Sequence, residues 1–147
     1  MSSKVNDAVS FFKQGYNCAQ ALLAAYAEQF GLDRETALKI ACGFGGGMHI
    51  GQTCGAVTGA FMVIGLKYGA TIPDMNARKN TYQLVQKFTE KFKARNGSVS
   101  CRELLGCDLS TPQGIKTAKE TGLFASICPK IIQDSAEILE EIFHQQK

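Results

Sequence analysis

The sequence predicts an all-α fold, a compact single-domain bundle of about six or seven helices, and three observations predict it. Apolar residues recur at three-to-four spacing along most of the chain. No segment alternates apolar and polar residues as a half-buried strand does, and the periodic runs are punctuated by helix caps before them and glycines after them. With 147 residues, 45% of them hydrophobic, the chain is long enough to close one core, and the domain is expected to span 1–147.

Element by element, a short helical turn is expected from Val5 to Phe12. Leu22, Leu23, Tyr26 and Phe30 then mark one face of a helix running from Cys18 until Gly31 stops it. Asp33 is placed to cap the next, with Ala37, Leu38, Ala41 and Cys42 facing inward. The run Gly43-Phe44-Gly45-Gly46-Gly47 makes further helix too costly, so a glycine-rich loop follows to about Gly51. From Cys54 to Tyr68 the chain is apolar nearly all round and carries Gly55, Gly59 and Gly65, which reads as a buried, glycine-rich central helix ended by Gly69. After Pro73 a long amphipathic helix sets Leu84, Val85, Phe88 and Phe92 against Arg78, Lys79, Lys87, Lys91 and Lys93, the last group read as a solvated face. Short helices begin near Ser100 and Thr111-Pro112, and a final one runs from Pro129 through Phe143. Tyr16, Tyr26, Tyr68, Tyr82, Phe44 and Phe61 are expected in the core.

The net charge of +3 comes from interspersed acidic and basic residues, so neither nucleic acid nor an anionic membrane surface is expected as a partner. The longest apolar stretch, Ala56 to Leu66, falls short of the ~20 residues that cross a bilayer. The N-terminus has no apolar secretory segment, which points to the cytoplasm. Six cysteines, about 4% of the chain, are too few for a disulfide scaffold. In a reducing compartment such thiols bind metal, react or fill space.

Four of them stand where helices are expected to begin. Asn17-Cys18-Ala19-Gln20 and Ser100-Cys101-Arg102-Glu103 read as capping boxes with cysteine at the first helical position; Thr53 precedes Cys54, and Cys128 precedes Pro129 as an N-cap would. A helix N-terminus presents free N–H groups and roughly half a positive charge, which stabilises a thiolate. One such end, worth ~0.3–1 kcal/mol, does not make a nucleophile. Four converging ends would supply about +2, against the net charge of about −2 on an oxidised iron–sulfur core with four thiolates. Cys42 and Cys107 fall at helix ends, where the dipole opposes a thiolate, and read as small buried hydrophobes.

The chain resembles the C_GCAxxG_C_C family, described as redox-active proteins of about this length. The resemblance is carried by Gly15 to Ala21 around Cys18, by Gly43 to Met48, by Cys54-Gly55-Ala56-Val57-Thr58-Gly59, by Cys101 to Gly106 and by Cys128-Pro129. The family label gives its central motif as GCAxxG, where this chain reads C-G-A-x-x-G. The family's four named cysteines correspond to Cys18, Cys54, Cys101 and Cys128. The resemblance implies a helical domain with a redox role; it implies no substrate.

The expected function is therefore redox chemistry at four convergent cysteines, Cys18, Cys54, Cys101 and Cys128. The first reading makes them ligands of an iron–sulfur cluster or another soft metal for electron transfer, with zinc as the structural version. Their spacing matches no compact ligand signature, so tertiary structure has to assemble the site. The second makes them redox thiols, Cys54 pairing with one of the other three. The third has no cofactor: the cysteines pack a helical binding module. Gly45, Gly46 and Gly47 could offer a nest of N–H groups to a cofactor's anionic group, and His49, five residues before Cys54, could donate to a thiolate or carry a proton. Neither a dinucleotide fingerprint nor a P-loop is present. A redox partner and a two-fold homodimer complete the expectation.

Overall fold

The computed structural model describes residues 3–146, and all regular elements among them are helical. In chain order they are α1 (Ser3–Lys13), α2 (Cys18–Ala27), α3 (Arg34–Ala41), α4 (Gly55–Tyr68), α5 (Met75–Asn96), α6 (Cys101–Leu105), α7 (Pro112–Glu120) and α8 (Leu123–Gln145). Eight helices exceed the expected six or seven. The turn expected at Val5 to Phe12 is a full eleven-residue helix, because Val5 and Ala8 find a buried seat against α2 and α8.

Local chemistry sets most boundaries. Asn17 and Gln20 form the capping box of α2, Asp33 accepts from the Thr36 N–H at α3, Asp74 caps α5, and Ser100 and Thr111 cap α6 and α7. Each satisfies donors that a helix start leaves free. Turns of 3-10 helix at Glu28–Phe30 and Cys42–Phe44 and a π-type turn at Gly47–Gly51 fill the connections, so the glycine-rich segment is tightly wound rather than an open loop. Within it Met48 and His49 hold left-handed backbone (φ 62° and 58°), which costs a non-glycine residue about 1–2 kcal/mol each.

The main core lies between α1, α2, α4, α5 and α8 and is filled by Tyr26, Phe88, Phe92, Leu22, Ile64 and Ile138, all wholly buried. Each such side chain contributes roughly 1.5–3 kcal/mol of burial. The basic side of α5 is partly spent on α8. Arg95 reaches Asp134 (3.3 Å), Glu137 (2.8 Å) and Glu141 (3.0 Å), and Lys91 reaches Glu141 (3.2 Å), so Lys91 is not simply solvated. Asp134 is nearly buried, held also by Lys130 at 2.6 Å.

Three expectations need correction. The last helix begins at Leu123, six residues before Pro129, which sits inside it. A proline there forfeits one backbone hydrogen bond, at a cost of ~3 kcal/mol or more. The turns before it hold because Leu123, Phe124 and Ile127 pack into a second apolar cluster with Leu105, Leu109 and Ala118. Cys128 is therefore no N-cap. Cys42 is exposed rather than buried, and Leu38 only half-buried, because Ala37 and Ala41 alone supply the inner face of α3. Tyr82 is 49% exposed, since it stands about 200° round α5 from Leu84 and so on the face opposite the buried one.

Candidate functional site

The site starts from the contact between α2 and α4. A Cβ added at Gly55 would lie 2.9 Å from the Ala19 nitrogen, and one at Gly59 would lie 3.0 Å from the Ala19 oxygen and from Leu22 Cβ. Glycine at these two positions lets the backbones approach closely, and that approach brings Cys18, at the first position of α2, beside Cys54, the N-cap of α4. A single antiparallel bridge, Thr53 to Ser100, brings in the third cysteine. The Cys54 N–H donates to the Val99 carbonyl and the Cys101 N–H to the Gln52 carbonyl, each at 2.7 Å. Cys54 and Cys101 thus follow the two bridged residues in register. Cys128 arrives on the second turn of α8.

All four cysteines line one small pocket of about 80 Å³, partly open to solvent. Its other walls are Phe12, Leu104, Leu105, Leu109, Phe124 and Ile131, with glycine backbone and Asn17 as the sole polar side chain. Cys54, Cys101 and Cys128 are each 5% exposed and Cys18 is half-buried; none is in a disulfide.

The thiols divide electrostatically. The neighbouring sulfurs of Cys128 and Cys54, then burial, push the Cys18 thiol well above its usual range. The Cys18 thiol beside it and the N–H groups of Ala56 and Val57 at the start of α4 outweigh burial and hold the Cys54 thiol below its usual value. Burial, and then the charges of Cys54 and Cys128, push the Cys101 thiol up to about 12. Of these three thiols Cys54 is the first to give up its proton as pH rises, ahead of Cys18 and Cys101.

The sequence picked out these four cysteines by their place at helix starts. That geometry holds for Cys18 and Cys101 at first positions and for Cys54 at an N-cap, while Cys128 lies inside a helix and gains nothing from a helix end. Four helix ends reduce to three. Gly46 borders the pocket, whereas Gly45 is packed against the Asn17 side chain and Gly47 against Gln52 and Cys101 Cβ. His49 is exposed, its ring beside Gly46, and does not line the pocket. Cys107 and Cys42 also stand outside the lining. The apolar walls escaped sequence reasoning: Leu104, Leu105 and Leu109 carry the same signal as any core leucine, and nothing in their spacing marks them as neighbours of sulfur.

Among the described residues, no group of three or more His, Cys, Asp or Glu side chains is arranged to hold a single metal ion. The model of the family described as "Putative redox-active protein (C_GCAxxG_C_C)" matches residues 16–142. The chain belongs to this family. The match takes in all four pocket cysteines and every helix from α2 to α7. No curated protein and no solved structure matches the chain. No helix among the described residues is long and apolar enough to cross a membrane.

Proposed function

We propose that Cys18, Cys54, Cys101 and Cys128 are the ligands of an iron–sulfur cluster through which this redox-active family member passes electrons. The observation that supports this best is the donor set: four sulfurs from four separate elements border one pocket that carries no carboxylate, imidazole or amine. Thiolates alone select soft metals and iron–sulfur clusters. A single tetrahedral zinc on the same four sulfurs, with Zn–S near 2.3 Å, is the structural version of this reading. Burial points the same way, because electron transfer needs no partner atom in contact with sulfur, whereas disulfide exchange does.

A bound cluster supplies a reversible one-electron couple. The chain's part is to exclude water with the six apolar walls and to offset charge with the N-termini of α2 and α4, which begin at Cys18 and just after Cys54. The second reading, a Cys18–Cys54 dithiol, is favoured by the opposed shifts of these neighbouring thiols, Cys18 raised and Cys54 lowered. Its oxidation forms one S–S bond and gives two electrons and two protons to an acceptor disulfide. The test is iron, zinc and acid-labile sulfide per chain on protein purified without oxygen. Near-stoichiometric iron and sulfide, lost in Cys101→Ser and kept in Cys107→Ser, is the expected result. Protein free of metal and sulfide, in which oxidation protects Cys18 and Cys54 from labelling, would establish the second reading instead.

A further inference from the structure

With α6 and α7 in place, Cys54, Cys101 and Cys128 are each 5% exposed, and Leu104, Leu105 and Leu109 close one side of the pocket. Those three leucines all come from the stretch between α5 and α8. Its boundaries are Gly97 (φ 83°) and Gly122 (φ 69°), both left-handed, and a Cβ at either would meet nothing within 4 Å. Two unencumbered glycines with permissive backbone are where a chain absorbs a rotation at least cost.

Inside this stretch the stitching centres on Asp108. Its carboxylate takes the Arg102 guanidinium (3.2 Å) and the Ser110 N–H (2.9 Å), and its carbonyl accepts from the Thr111 N–H (3.3 Å) and hydroxyl (3.1 Å). Gly114 packs directly on that same carbonyl, with no room for a Cβ. Ser100 caps α6 and Thr111 caps α7. Outward, it makes two backbone bonds to the Gln52–Cys54 segment, sets Val99 and Leu104 on the main core, meets Gly51 with Asp108 and Arg102, and shares with α8 an apolar cluster of five buried residues, two of them site cysteines. A stretch with so little buried apolar area opens at a lower free energy than the main core, and the Asp108 network joins α6 to α7 as it does so.

We propose that residues 98–121 form a cover over the sulfur site that opens as one body about Gly97 and Gly122 and carries Cys101 away from the other three cysteines. Cys18 and Cys54 stay on the main body, as does Cys128 on α8. Opening exposes three sulfurs in place and withdraws the fourth, which gives the buried pocket a route for loading. The inference rests on the reading above for what the cover protects, but its test needs no cluster.

The test is time-resolved alkylation by iodoacetamide, read by mass spectrometry on reduced, metal-free protein, at reagent concentrations where the rates no longer rise. Cys54, Cys101 and Cys128 are expected to react at one shared rate, slower than exposed Cys42 and faster than global unfolding. Ile115→Ala, which thins the cover's seat without touching the pocket lining, should raise that rate about tenfold and leave the denaturation midpoint of the main core in place. Alkylation of the three only at the global unfolding rate would overturn the cover. Should Ile115→Ala fail to fold, hydrogen exchange of the unaltered chain decides. Amides of α6 and α7 must open together at a lower free energy than those of α2 and α4, and equal protection ends the proposal. Absence of iron and sulfide would sink the cluster reading while leaving both measurements intact.

Discussion

The larger apolar cluster draws on six helices and holds Tyr26, Phe88, Phe92, Ile138 and Leu139 out of water altogether; the smaller one has five buried residues, of which Cys101 and Cys128 are two. The first owes its cohesion to area. Removing all its sulfur would leave most of that area in place. The second, set on α6, α7 and the start of α8, is too small to hold itself by burial and takes its remaining neighbours from the site it encloses. The difference teaches that burial is concentrated in one compartment of the bundle: a frame of large apolar area, to which Cys54 belongs, and a thin sulfur-lined annex with little of it.

The largest expected effect lies in the frame. Phe88→Ala should cost ~3–5 kcal/mol in chemical denaturation, because the ring is wholly buried against Phe61 and Phe92. A loss below ~1 kcal/mol would mean that the frame is not the stable compartment. Next comes the seam between the two. Gly55→Ala sets a methyl group 2.9 Å from the Ala19 nitrogen and 3.2 Å from Cys18 Cβ, and forcing α2 from α4 should cost roughly 1–3 kcal/mol. The same variant should also lower iron content, although no cysteine is touched.

A pH titration isolates the annex. The Cys101 thiol ionises near 9.0 when unfolded and is pushed up to about 12 when folded, so between those values the unfolded chain has released a proton that the folded chain retains. Stability of the reduced, metal-free protein should therefore be flat with respect to this group below pH 9 and fall above it. The slope stays under about 1.4 kcal/mol per pH unit after solvent screening, and Cys101→Ser should remove it. Cys54, with its thiol held low, acts in the opposite sense, adding stability as pH rises toward 9. The smallest effect belongs to Asn17→Ala, which forfeits the cap of α2 and the bond from Asn17 Nδ2 to the Cys42 carbonyl, for ~1 kcal/mol by thermal melting. A cluster optical spectrum that shifts with this variant would tie the cap to the sulfur site.

Much of the frame was legible because its signals are local. Asn17 with Gln20, Asp33, Ser100 and Thr111 cap helices within three residues of themselves, and Leu84, Phe88 and Phe92 recur on the face that is buried. Pro129 misled for the same reason: proline is read as a helix start, and here packing of Phe124 and Ile127 carries a helix through it. Cys42 misled because its neighbours Ala37 and Ala41 are buried while it sits one residue past the helix end.

By itself the sequence determined the helical class and most of the helix boundaries, and it singled out the four cysteines that border one pocket, since capping and periodicity act over a few residues and need no distant partner. Tertiary structure alone decided that those cysteines meet. Gly55 and Gly59 had to face Ala19, Thr53 had to bridge to Ser100, and α8 had to run unbroken through Pro129. Each of these contacts joins residues far apart in the chain, and close packing between such segments is chosen by the whole core rather than by any stretch of it.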